Sequence, residues 1–129
     1  MGTRSLTHIV EKAETLTTIY RQYDGYLSGH GFDLASFLAD KKIVNGLSGD
    51  TTNVANGMGC LSAQIIAHFK KCAGNIYLYP PNSKDCWEDF TYFIYYKEKQ
   101  IKIKVKSFSN AVIFDGTPTE LLKKIKNES

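Results

Sequence analysis

The feature that most constrains the fold is a period-two run, "DFTYFIYYKEKQIKIKVKS", spanning residues 89–107. Lysines alternate with Ile and Val in its second half. In its first half Phe90, Tyr92, Ile94 and Tyr96 fall at every second position, as do Phe93 and Tyr95. Successive strand side chains point to opposite faces of a sheet, so the run predicts a hairpin turned through "EKQ". The lysines read as a solvated outer face, and aromatic residues occur on both faces. The segments "NIYLYP" and "AVIFDG" add a strand on either side in sequence.

The N-terminal part predicts a second hairpin. "TRSLTHIVE" and "TLTTIYRQY" are rich in β-branched residues and are separated by the short polar "KAE". Two amphipathic helices follow. "GFDLASFLADKK" places Leu34, Phe37 and Leu38 at helical spacing. After the polar break "NGLSGDTTN", a longer helix is expected from about Val54, with Leu61, Ile65, Ile66 and Phe69 on one face and Gly74 as its stop. "TPTELLKKIKN" closes the chain as a helix, with Thr117 and Glu120 as a capping box around Pro118. The order ββααββββα lacks βαβ alternation. It predicts one α+β domain over residues 1–129, a mainly antiparallel sheet with helices on one face.

The chain has 129 residues with 43% hydrophobic and 22% charged content, ordinary for one globular domain. No apolar run is long enough for a membrane span, and the first residues lack a signal-peptide core, so a cytosolic protein is expected. Myristoylation after Met-Gly is disfavoured by Leu6 where the motif wants Ser or Thr. Cys60, Cys72 and Cys86 have no zinc-ligand spacing and read as reduced thiols. No metal or other cofactor is expected. A net charge of +3 is too mild for duplex nucleic acid.

Candidate chemistry concentrates in "GTRSLT", "YRQYDGYLSGHGFDL" and "NVANGMGCLSAQ". If the first two strands pair, Arg4 and Arg21 can lie on neighbouring strands and face one anion, a task suited to the planar guanidinium. Arg21 and Tyr23 would share a strand face, with Tyr20 and Gln22 on the other. The glycine clusters permit close backbone approach to a ligand, although each alone reads equally as a tight turn. His30 near Asp24 invites a general-base reading, but no nucleophile or metal set accompanies it, so a contact role is preferred. His8 reads as a strand-face residue and His68 as an exposed helix residue. Trp87, in the loop "YPPNSKDCWED", reads either as a stacking ring or as a cover for the core edge.

Together "MGTRSLTHI", "IYRQYDGYLSGHGFDLASFL", "VANGMGCLSAQIIAHFK" and "IYLYPP" resemble a group of short phage and prophage proteins. That group carries an MGTRSLT start, a YRQYDGYxSGHG segment and a later NGMGC helix. The likeness covers most of the first eighty residues. It further resembles the viral nucleotide sponges that counter CBASS, a bacterial antiphage system signalling through cyclic oligonucleotides. The resemblance implies a homo-oligomer, with tetramers expected, acting in the host cytoplasm. It would bind a cyclic dinucleotide of the cyclic GMP-AMP class without cleaving it. On that basis Arg4 and Arg21 would hold phosphates, and Tyr23, Tyr26 or Trp87 would stack on bases. His30 and Asn56 would read base edges or ribose. Two other readings stand beside it: a small hydrolase using His30 and Asp24, and a non-catalytic interaction protein.

Overall fold

The computed structural model describes residues 2–47, 49 and 51–128. Met1 of the N-terminal motif, and Ser48 and Asp50 of the polar break, lie outside the described residues. The N-terminal hairpin forms as expected from β1 (Ser5–Glu11) and β2 (Glu14–Arg21). A π-helical turn over Leu27–Gly31 then leads directly into α1 (Phe32–Leu38). Two three-residue strands, β3 (Lys42–Val44) and β4 (Val54–Asn56), pair in parallel as a small separate sheet. The longer helix, α2 (Gly57–Phe69), therefore starts three residues later than the pattern suggested. It also ends at Phe69, before Gly74, with the Asn75 side chain donating to the Phe69 carbonyl at 2.5 Å.

The remaining strands are β5 (Tyr77–Tyr79), β6 (Phe90–Lys97), β7 (Gln100–Ser107) and β8 (Val112–Gly116). The chain closes with α3 (Pro118–Glu128), whose capping box is formed. The Thr117 hydroxyl accepts from the Glu120 amide at 3.2 Å, and the Glu120 carboxylate accepts from the Thr117 amide at 2.8 Å.

The main sheet has the order β5-β2-β1-β6-β7-β8. Every pairing is antiparallel except that of β1 with β6, which joins the two hairpins in parallel. One face carries Ile9, Ile19, Tyr92, Ile94, Ile103 and Val105, all buried against Leu34, Leu38, Leu61, Ile65 and Leu121 of the helices. Burying this set against helices is the chief stabilising term available to a domain this size. The opposite face carries the alternate positions, including Phe93, Tyr95, Lys104 and Lys106. The architecture is one α+β domain, as the periodicities predict.

Candidate functional site

The glycine- and tyrosine-rich motif follows the end of β2 and wraps over the first residues of the chain. Ser5 lies opposite Arg21 in the β1–β2 register, so Arg21 projects to the helix-bearing face. Arg4, one residue earlier, faces the other way. It acts electrostatically on Tyr79, whose strand neighbours Thr18 and Tyr20 belong to that opposite side. The expectation that Arg4 and Arg21 converge on one anion is thus corrected: the sheet separates them.

Arg21 spends its donors inside the fold. Its Nε donates to the Tyr23 carbonyl at 2.8 Å, and one terminal nitrogen reaches both His30 Nδ1 (3.1 Å) and Asp33 Oδ2 (3.0 Å). Asp24 makes a looser ion pair at 3.9 Å. Because a guanidinium only donates, His30 Nδ1 must be the unprotonated nitrogen. His30 Nε2 then carries the hydrogen and donates to the Thr7 hydroxyl at 2.8 Å. Burial, with the Arg21 charge adding to it, pushes the His30 pKa down to about 3. His30 is 2% exposed, with the Tyr92 ring edge-on at 4.9 Å and Phe69 at 5.7 Å. It is a neutral internal strut behind Arg21, not a surface contact, and both of its nitrogens are held.

The glycines complete this inward construction. A Cβ on Gly29 would sit 2.3 Å from the Asp24 carbonyl oxygen, which accepts from the His30 amide at 2.7 Å. A Cβ on Gly25 would press on the Arg4 backbone at 2.9 Å, where the Gly25 amide donates to the Thr3 carbonyl. Tyr92 Oη, on the sheet beneath, donates to the Gly25 carbonyl at 2.6 Å, and burial holds that phenol far above its ordinary pKa. The N-terminal motif and the glycine motif are therefore one packing unit. Gly25 and Gly29 sit where two backbone segments touch.

What this unit presents outward is a cavity of about 680 Å³ between the motif, α1 and the end of α2. Tyr23, 57% exposed, stands on one side beside Arg21 and Asp24. Phe37 and His68 stack on each other in its wall with centroids 4.3 Å apart, and Lys41 Nζ lies 4.5 Å from the Phe37 ring centroid. Lys71 and Asn75 line the rest. The Asn75 amide nitrogen is fixed by the Phe69 carbonyl, which leaves its Oδ1 buried without a hydrogen-bond partner. Asp24, Asp33 and Asp40 balance Arg21, Lys41 and Lys71, so the wall carries mixed charge rather than a basic field.

The other sequence candidates lie elsewhere. Tyr26 is exposed, with its hydroxyl donating to Asp24 Oδ1 at 3.2 Å; that carboxylate raises the phenol's pKa. The Asn56 side chain accepts from the Gly46 amide at 2.8 Å at the start of α2. Trp87 is 83% exposed on the loop before β6, with left-handed backbone at φ 65°. Only Arg21 and Tyr23 of the seven candidates line the cavity. Phe37, Lys41, Lys71 and Asn75 were not singled out from sequence, because core-type spacing and scattered lysines carry no signal of a shared wall. His68 is exposed, as its place in "AHFKK" suggested.

No protein-family model matches the chain, and no curated protein or solved structure matches it either. The class defined by fold and site is a single α+β domain with an open, ring-lined cavity beside a half-buried Arg-His-Asp network. Among the described residues no group of His, Cys, Asp and Glu is arranged to hold a metal ion. No helix among them is long and apolar enough to cross a membrane.

Proposed function

We propose that the protein binds and sequesters a cyclic oligonucleotide second messenger, of the cyclic GMP-AMP class, without cleaving it. In a phage-infected cell this would silence CBASS-type signalling. The observation that carries the reading is the cavity beside Arg21, where aromatic rings and cations meet. Its volume of about 680 Å³ lies within the usual range for small-ligand pockets, roughly 300–1,000 Å³. Tyr23 offers an exposed ring face for a base, and the stacked Phe37–His68 pair forms an aromatic part of the wall. Lys41 and Lys71 are the cations for phosphate, while Arg21 shapes the wall. The hydrolase alternative draws no support from His30, whose two nitrogens are bonded to Arg21 and Thr7.

The test is calorimetric titration with a panel of cyclic dinucleotides. Tyr23→Ala removes an exposed ring and is expected to weaken the cognate ligand about tenfold, within the range for a lost base stack. Unchanged affinity in a folded Tyr23→Ala protein would remove this cavity from the account.

A further inference from the structure

The sheet face turned away from the helices carries an organised surface of its own. Across the β6–β7 register, Thr91 faces Lys106, Phe93 faces Lys104 and Tyr95 faces Lys102, three rows of ring or hydroxyl against ammonium. Phe93 is the centre. Lys104 Nζ and Lys106 Nζ lie 5.6 and 5.5 Å from its centroid, and the His8 ring lies 5.2 Å away on the other side.

Two cavities, of about 610 and 450 Å³, share Phe93 as a wall. The first adds Tyr95 and Lys104. The second adds Lys106, Lys84 and Phe108, a ring 83% exposed. They meet at Phe93; the first also reaches Tyr96, Ile43 and Met58 by the start of α2, and the second lies beside Thr91 and Lys106.

Four carboxylates line the two cavities, Glu11, Asp85, Glu88 and Asp115. Asp115 accepts the Tyr95 hydroxyl, and Glu88 holds the Asp85 and Cys86 amides at 3.3 and 2.6 Å. These hydrogen bonds leave the carboxylates charged, so four anions stand against Lys12, Lys84, Lys97, Lys104 and Lys106 on the walls, and the cations nearest the Phe93 ring are Lys104 and Lys106. A second copy whose two-fold axis passed through Phe93 would bring Lys104 and Lys106 against their own images, which is repelled. An anionic chain with flat unpaired bases fits instead. Cationic grooves with stacking rings are the general solution for single-stranded nucleic acid.

We propose that this open face binds single-stranded nucleic acid, one base stacking over Phe93 while flanking phosphates draw Lys104 and Lys106 off the ring. The proposal is independent of the ligand read into the cavity on the helix side. The experiment is fluorescence anisotropy of a labelled short oligothymidylate with the full chain at low and moderate salt. Phe93→Ala is expected to weaken binding about tenfold, and Phe93→Tyr, which keeps the ring, to retain it.

Lys104→Glu/Lys106→Glu is expected to abolish most binding. The paired Lys104→Gln/Lys106→Gln variant should lower the log–log salt slope by about 1.4, two single-strand phosphate contacts. Lys123→Glu/Lys124→Glu, on α3, makes the same change in net charge as the Glu pair and should bind nearly as wild type. Circular dichroism establishes that each variant is folded. No binding of the oligonucleotide by wild type at low salt would overturn the proposal. So would equal losses in the two Lys→Glu pairs, or full binding by a folded Phe93→Ala protein.

Discussion

At the scale of single residues, Arg21 and His30 are engaged inward, while Tyr23, Tyr26 and Trp87 stay exposed. Arg21 is linked to Tyr23, His30 and Asp33, and His30 is linked onward to Thr7. A histidine kept neutral by burial has a stability signature with a definite sign. Its pKa of about 3 in the folded protein lies below the ordinary value of 6.5. Above pH 6.5 neither state binds the proton and the group contributes nothing to the pH dependence. As pH falls from 6.5 toward 3, the unfolded chain takes the proton and the folded one does not, so stability is lost. By pH 5 the loss is about 2 kcal/mol, at about 1.4 kcal/mol per pH unit. His8, whose pKa burial also lowers, acts in the same direction. Denaturant midpoints at pH 7 and pH 5 check this: the wild type is expected to drop, and a folded His30→Gln variant to drop less. An unchanged wild-type midpoint would contradict the buried neutral assignment.

At the scale of elements, the glycines of the motif divide into those that pack and those that do not. Gly29→Ala would drive a Cβ into the Asp24 carbonyl and is expected to cost about 1–3 kcal/mol, the range for overpacking. Gly59, inside α2, has nothing within 4 Å of its would-be Cβ. Gly59→Ala is therefore expected to stabilise by up to about 1 kcal/mol. Thermal melts of the two variants should move in opposite directions, and a shift of the same sign in both would sink the packing account. The strands and helices were legible in the sequence because alternation and helical spacing are local signals. Ile101, Ile103 and Val105 had to face one way and their lysines the other. The parallel contact of β1 with β6 was not legible, since it joins residues some eighty-five positions apart. Nor was the fate of Arg4. Side-chain direction in a strand has period two, so a register that sets Ser5, not Arg4, opposite Arg21 moves Arg4 to the far face. His30 illustrates a third limit: its sequence neighbours fit a surface turn as well as a core, and it is packed by residues distant in sequence, Thr7, Phe69 and Tyr92.

At the scale of the whole molecule, the helices cover one face of the sheet, and large apolar side chains remain exposed at its ends. Leu78 is 59% and Tyr77 44% exposed on the three-residue edge strand β5, and Trp87 is 83% exposed nearby in sequence. Exposed apolar patches commonly mark interfaces, and closed symmetric assemblies are their usual outcome. Light scattering at micromolar concentration is expected to give a mass well above the 14.5 kDa of one chain; a monomer mass would contradict this. A sequestering protein must also hold its ligand unchanged, one molecule per site. The most direct test is to incubate the purified protein with excess cyclic dinucleotide, remove the free ligand, denature the protein and chromatograph what is released. Release of intact ligand in fixed proportion to binding sites is the predicted result. A cleaved product accumulating beyond the number of sites, or no retained ligand across the panel, would contradict the account.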